Sequence, residues 1–363
     1  LMSRSSMARS TYSCCLSIVP PQRGVRQRAD GLFGRDPPET FLPGASLVRG
    51  CVGQVSKIAP GEGGITSSTA RRSLPLTSGS LGPMATPESP YGSSVAVGGG
   101  KPVRVHHLAT AKHDGTKLVM LTAYDAVTAQ ILDAAGTDML LVGDSIGNVI
   151  LGYDSTLPVE LDEMVVATRS VARATKRALV VADLPFGTYE AGPEQALASA
   201  VRLMKAGANA VKLEGGRPRE ASVRALTQAG IPVVGHLGFT PQSINMLGGF
   251  RVQGRGEAAE ELLADARTLA EAGAIALVLE MVPEPLAARV TESLAIPTIG
   301  IGAGARCDGQ VLVWTDMAGM TEWSPRFAHQ FGQVGQALRQ AAADYGAAVR
   351  EASFPAEKHW FSA

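Results

Sequence analysis

Eight short apolar runs punctuate the chain beyond residue 100, at 118–124, 138–143, 179–183, 209–214, 232–237, 275–280, 297–302 and 310–315. Amphipathic stretches separate them, at 125–135, 160–175, 193–206, 217–229, 257–272 and 283–294. A strand buried on both faces reads as a continuous apolar run, and strands alternating with helices form β/α units around a parallel sheet. Eight such units predict a closed (β/α)8, or TIM, barrel. A doubly wound open sheet is the alternative, but its dinucleotide fingerprint is missing after the first run, where the chain reads TAYDAVTAQ. The glycine-rich GIGAG at 300–304 comes after the seventh run and reads as a tight turn, with no Walker lysine behind it. Four amphipathic stretches close on Ala-Gly, at 135–136, 206–207, 229–230 and 272–273, as expected where glycine ends a helix and turns the chain into a strand.

Residues 1–100 have a different texture. They are rich in Ser, Gly, Pro and Arg, lack a strand or helix period, and carry ten basic against five acidic groups. Such a segment is expected to be a disordered extension. Arg4, Arg9, Arg23, Arg26, Arg28, Arg35 and Arg49, with few acids among them, fit a mitochondrial transit peptide. A start at Met84 would instead leave a cytoplasmic protein. Residues 101–363 are then the catalytic barrel with C-terminal helices. They carry a net charge of −5 and no basic stripe for nucleic acid. No apolar run is long enough to span a bilayer. Of four cysteines only Cys307 lies in this part, so a disulfide framework is not expected.

Five charged residues stand at the carboxyl ends of apolar runs: Asp144 in LLVGDS, Asp183 in LVVADLPF, Glu214 in AVKLEGG, His236 in VVGHLG and Glu280 in ALVLEMVP. A barrel gathers such residues at the face that carries its chemistry. Facing carboxylates repel unless a cation or a shared proton relieves them, and Mg2+ is the simplest hard ion for oxygen ligands. Asp144 capping the next turn, with Ser145 helping, is the plainer reading. Lys212 and Glu214, two apart on one strand, face the same side. They could neutralise a substrate carboxylate or form an internal ion pair; Schiff-base chemistry at Lys212 is disfavoured by the acids around it. His236, between Gly235 and Gly238, has room to hydrogen-bond a substrate oxygen, or is structural. A carboxylate walled by apolar groups suits a general base near neutral pH, which is the role expected of Glu280; capping the helix that opens at Pro283 is the alternative. The stretches 238–256 and 152–158 read as functional loops.

The strings TAYD (122–125), VGDS (142–145), DSTLPV (154–159), ADLPF (182–186), GHLG (235–238), TPQS (240–243), QGRG (253–256) and IPTIGIGAG (296–304) occur in order. With them the chain resembles the ketopantoate hydroxymethyltransferase family from residue 104 to 360. The resemblance implies a barrel of the phosphoenolpyruvate/pyruvate type, assembled as a homodecamer of two pentameric rings. It implies transfer of a one-carbon unit from 5,10-methylenetetrahydrofolate to 3-methyl-2-oxobutanoate, giving 2-dehydropantoate through a Mg2+-stabilised enolate. By matching motif it assigns Mg2+ to Asp144, Asp183 and Glu214. The oxo acid falls to Asp144, Ser145, Asp183, Lys212 and His236, and the proton to Glu280. A related barrel lyase or mutase acting on a 2-oxo acid is the alternative. Residues 317–324 look shorter and poorer in glycine than the family pattern, and the first hundred residues have no counterpart in it.

Overall fold

The computed structural model describes residues 100–362, so the transit-peptide and linker readings of the N-terminal segment lie outside the described residues. Eight strands, β1 (Leu118–Thr122), β2 (Met139–Val142), β3 (Leu179–Asp183), β4 (Ala210–Glu214), β5 (Val233–Gly238), β6 (Ala276–Glu280), β7 (Thr298–Ile301) and β8 (Gly309–Leu312), pair in chain order. All are parallel, and β8 closes on β1 through Leu118 opposite Gly309. The barrel is the expected one, and all eight expected strands are present.

Alternate strand residues point in two directions and build two apolar layers. Inward-facing Met120, Leu141, Val181, Val234, Val278 and Ile299 fill the barrel as one cluster. Helix α1 (Val105–His113) adds Leu108 and Ala111 to that cluster and stops the amino-terminal end. Outward-facing Leu140, Val180, Val211 and Leu277 pack beneath α2 (Ala126–Ala134), α3 (Leu161–Ala174), α4 (Pro193–Ala206), α5 (Glu220–Gln228), α7 (Ala258–Glu271) and α8 (Glu284–Ser293). The glycines of the four Ala-Gly pairs have φ of 89°, 114°, 82° and 101°, the left-handed conformation that ends a helix without a Cβ penalty. At Gly207 a Cβ would also lie 2.7 Å from that of Ala172, so the turn and the α3–α4 contact both require glycine there.

Three features depart from the expected regular alternation. The stretch 238–256 carries a 3-10 turn, Pro241–Ser243, and a single helical turn, α6 (Ile244–Leu247). No helix separates β7 from β8. The run expected to continue to 315 ends at Leu312, because Trp314 opens the short α9 (Trp314–Met317) and donates its backbone N–H to Thr122 Oγ1 at 3.0 Å. The C-terminal α10 (Val334–Arg350) buries none of its residues and presents Leu338 and Tyr345 to solvent. No helix among the described residues is long and apolar enough to cross a membrane.

Candidate active site

The barrel interior changes from apolar to ionic at the carboxyl ends of its strands, and neighbouring strands place the charged groups side by side. The register sets Asp183 of β3 beside Lys212 of β4, and Glu214 of β4 beside His236 of β5. Gly238 at the end of β5 stands beside Glu280 of β6. Asp144 arrives two residues after β2. Asp144, Asp183, Lys212, Glu214 and His236 are each at most 4% exposed. Sequence spacing of 20 to 45 residues thus becomes direct contact.

Lys212 Nζ lies 3.1 Å from Asp183 Oδ1, and Asp183 Oδ2 accepts the Asp144 backbone N–H at 3.1 Å. The lysine therefore pairs with Asp183, correcting the alternative of an internal pair with Glu214. Glu214 turns away: Oε1 is 3.2 Å from His236 Nδ1, and Oε2 accepts the Gln242 backbone N–H at 3.0 Å. His236 Nε2 is 3.2 Å from Glu280 Oε2, an ion-pair contact that lacks good hydrogen-bond geometry. Ser145 Oγ shares a 2.9 Å hydrogen bond with the Tyr124 hydroxyl. The plainer capping readings fail for both acids. Among the described residues the one hydrogen bond to the Asp144 carboxylate comes from Gln242, and the cap residue of α8 is Pro283. Nor is Glu280 walled by apolar groups as expected, since its carboxylate faces His236 and its side chain is 16% exposed.

The electrostatics follow from burial and crowding. Removal from water, then the charges of Asp183 and Glu214, push the Asp144 carboxyl up to about 8. Burial also raises Asp183, against the opposing pull of Lys212. For Lys212, burial disfavours the ammonium, but Asp183, Glu214 and Asp144 outweigh it and hold the pKa above the usual lysine value. His236 is likewise opposed by burial and by Lys212, yet Glu214 and Glu280 lift it to about 9. The fold therefore stabilises an imidazolium. That contribution is complete below the ordinary 6.5 and is lost as pH rises through 9. The raised Asp144 acts in the same sense, since the folded state increasingly disfavours its anion between the ordinary 3.8 and about 8. The melting temperature of metal-free protein falls between pH 6.5 and 9, and His236→Gln flattens that fall; scanning calorimetry across the range measures both.

Four carboxylates face two cations in this cluster, so two formal negative charges lack a partner. That excess, with Asp183 Oδ1 buried and without a well-formed hydrogen bond, fits a divalent cation bound by hard oxygen donors. The expected three-acid set is not assembled, however. Among the described residues no three His, Cys, Asp or Glu side chains converge as ligands, and the Glu214 oxygens face His236 and the Gln242 N–H. Asp144 and Asp183 remain as the pair able to hold the ion.

Sequence reasoning missed Gln242, Tyr189 and Tyr124. Gln242 Nε2 donates to Asp144 Oδ2 at 2.8 Å and to the Leu184 carbonyl at 3.0 Å, and the Tyr189 hydroxyl donates to Gln242 Oε1 at 2.5 Å. Two of the three stood inside noted strings, TAYD and TPQS, but nothing in the spacing marked them as site residues.

Fold and site together define a parallel-barrel enzyme with an acid-lined mouth. The family model described as ketopantoate hydroxymethyltransferase matches residues 102–357. Among curated proteins, the chain is 58% identical over 261 residues to the 3-methyl-2-oxobutanoate hydroxymethyltransferase of Mycolicibacterium paratuberculosis, covering 71% of this chain and 92% of that one. It is 58% identical over 260 residues to the protein of that name from Rhodococcus jostii (71% and 90%). The Mycobacterium tuberculosis protein of the same name is 56% identical over 275 residues (75% and 98%). A solved structure of phosphonopyruvate hydrolase with oxalate and Mg++ superposes with a TM-score of 0.47 at 13% identity, covering 70% of this chain and 92% of that one. The chain belongs to the ketopantoate hydroxymethyltransferase family and is an enzyme, a transferase.

Proposed function

We propose that the chain transfers a hydroxymethyl unit from 5,10-methylenetetrahydrofolate to 3-methyl-2-oxobutanoate, giving 2-dehydropantoate for pantothenate synthesis. The observation that carries this reading is the cluster of three buried acids, Lys212 and His236 with the partly exposed Glu280, in a chain so close to its named relatives. Mg2+, held by Asp144 and Asp183, would supply a Lewis acid for the carboxylate and 2-oxo oxygens of the oxo acid. The chain's own groups do the rest. Lys212 offsets the substrate's negative charge, and Ser145 and His236 offer hydrogen bonds to its oxygens. Glu280, the member of the cluster with solvent access, takes the C3 proton, and the resulting enolate carbon attacks the methylene carbon of the folate. The methylene carbon reacts at the formaldehyde level: water cleaves both of its bonds to folate nitrogen, and the two hydrogens of water leave on tetrahydrofolate. The oxygen of water becomes the hydroxyl oxygen, and the alkoxide formed by the attack takes the proton back from Glu280. Glu214, in contact with His236 and the Gln242 N–H, would be the third acid of the set.

The test is direct. Metal-replete protein given both substrates yields 2-dehydropantoate, followed by mass spectrometry, and EDTA stops it. No product overturns the reading, and product from the oxo acid alone points to lyase or mutase chemistry.

The same reading includes self-association. Among the described residues none of α10 is buried, and a cavity of about 980 Å3 beside β1 and β8 is lined by Val119, Gly302 and Phe327 among others. A second copy's α10 covers both. Sedimentation velocity shows an oligomer, and Leu338→Glu lowers its mass.

A further inference from the structure

Gln242 carries no charge, yet it is 6% exposed and its side chain meets three residues, one after β2 and two in the loop between β3 and α4. The Glu214 backbone N–H donates to the Tyr189 hydroxyl oxygen at 3.2 Å, which leaves that hydroxyl's own proton for Gln242 Oε1, 2.5 Å away. An amide gripped by its oxygen has only one orientation left. Its NH2 group then faces Asp144 Oδ2 at 2.8 Å and the Leu184 carbonyl at 3.0 Å, with both hydrogens donated. Its backbone N–H closes on Glu214 Oε2 at 3.0 Å. Asp144 Oδ1 accepts no hydrogen bond from any described residue.

We infer that Gln242 is a positioning residue: its amide, oriented by the Tyr189 hydroxyl, holds the Asp144 carboxylate as a ligand for the divalent ion. This deepens the metal reading above and rests on it. The donors run in one direction, from the Glu214 N–H through the Tyr189 O–H and the Gln242 N–H to Asp144. The tyrosine proton has a rival acceptor in the Glu214 carbonyl, but at 3.5 Å against 2.5 Å to Gln242 Oε1, so the line runs on to a carboxylate that accepts. One oxygen is thereby fixed in space and the other is left for a ligand. Partners that orient a metal ligand in this way are worth about 10- to 100-fold in metal affinity. The bland reading is that Gln242 merely fills polar space under the loop after β5. That role sets the melting temperature and has no reason to touch ion affinity.

The experiment titrates Mn2+, a spin-active stand-in for Mg2+ at oxygen sites, into metal-free protein without the oxo acid. Bound ion is read from the loss of the free-ion paramagnetic resonance signal, and the melting temperature of each metal-free variant is recorded beside it. The unmodified protein binds and Asp144→Asn does not. Gln242→Glu, which turns the donor into an acceptor at nearly constant shape, and Gln242→Leu each weaken binding by about 10- to 100-fold. Tyr189→Phe gives a smaller loss in the same direction, since the amide remains but is free to turn its oxygen toward Asp144. If either Gln242 variant fails to fold, Tyr189→Phe decides. Affinity unchanged in the Gln242 variants and in Tyr189→Phe, whatever happens to the melting temperature, overturns the inference. If the unmodified protein binds no ion at all, the metal reading itself falls and takes this inference with it.

Discussion

Glu280→Gln stops the C3 proton of 3-methyl-2-oxobutanoate from exchanging with solvent and lowers kcat by about 10²- to 10⁴-fold, the range a positioned general base contributes. The amide keeps the size of the carboxylate and its place at the end of β6, so the oxo acid still binds. Proton exchange observed by NMR in deuterated buffer, without folate, isolates the step from one-carbon transfer. The geometry gives a reason for the size of the effect. Gly238, φ 94°, lets β5 run so close to β6 that a Cβ there would sit 2.2 Å from the Glu280 carbonyl oxygen, and Met281, immediately after the acid, is itself held at φ 49°. Left-handed backbone at a residue other than glycine costs on the order of 1–3 kcal/mol and persists only where the surroundings impose it. The carboxylate is thus delivered by a constrained strand end, and an exchange rate unchanged in Glu280→Gln would remove it from the role of base.

Lys212→Met lowers the stability of the metal-free protein by about 3–5 kcal/mol, because it strands the buried Asp183 carboxylate without its cation. For a folded unit of this size that is a fall of about 6–20 °C in melting temperature. Adding Asp183→Asn recovers part of the loss, since it takes away the charge that Lys212 had neutralised. The reverse pairing is informative too. If Lys212→Met alone leaves the melting temperature untouched, the excess negative charge of the cluster is not held in check by this pair.

How much of this was legible in the residues depends on what each residue has to do locally. The strands β3 to β7 were readable because a parallel strand buried on both faces has to be apolar along its length, and LVVAD and ALVLE are. The charged ends stood out for the same reason, as breaks in apolar runs. Helix α1 was not visible, since VHHLATAKH buries only Leu108 and Ala111 and so shows no apolar stripe. The end of β8 was misread because Val313 and Trp314 prolong its apolar run, while the Trp314 N–H is taken by Thr122, 192 residues earlier. Gln242 was beyond reach for a related reason. Its partners Asp144, Leu184 and Tyr189 lie 98, 58 and 53 residues away, and an amide leaves no imprint on charge or periodicity. The surroundings of the third acid were hidden on similar grounds: Glu214 occupies the right strand end, and only the fold reveals that one oxygen faces His236 and the other accepts the Gln242 N–H.

Helix α1 has a bearing on traffic. With Leu108 and Ala111 wedged beneath the strands, the barrel is a vessel with a sealed floor. Among the described residues the acids are then met from the carboxyl-end face, and a small oxo acid seated on them leaves the larger folate to arrive above it; initial-rate kinetics would show that order of arrival.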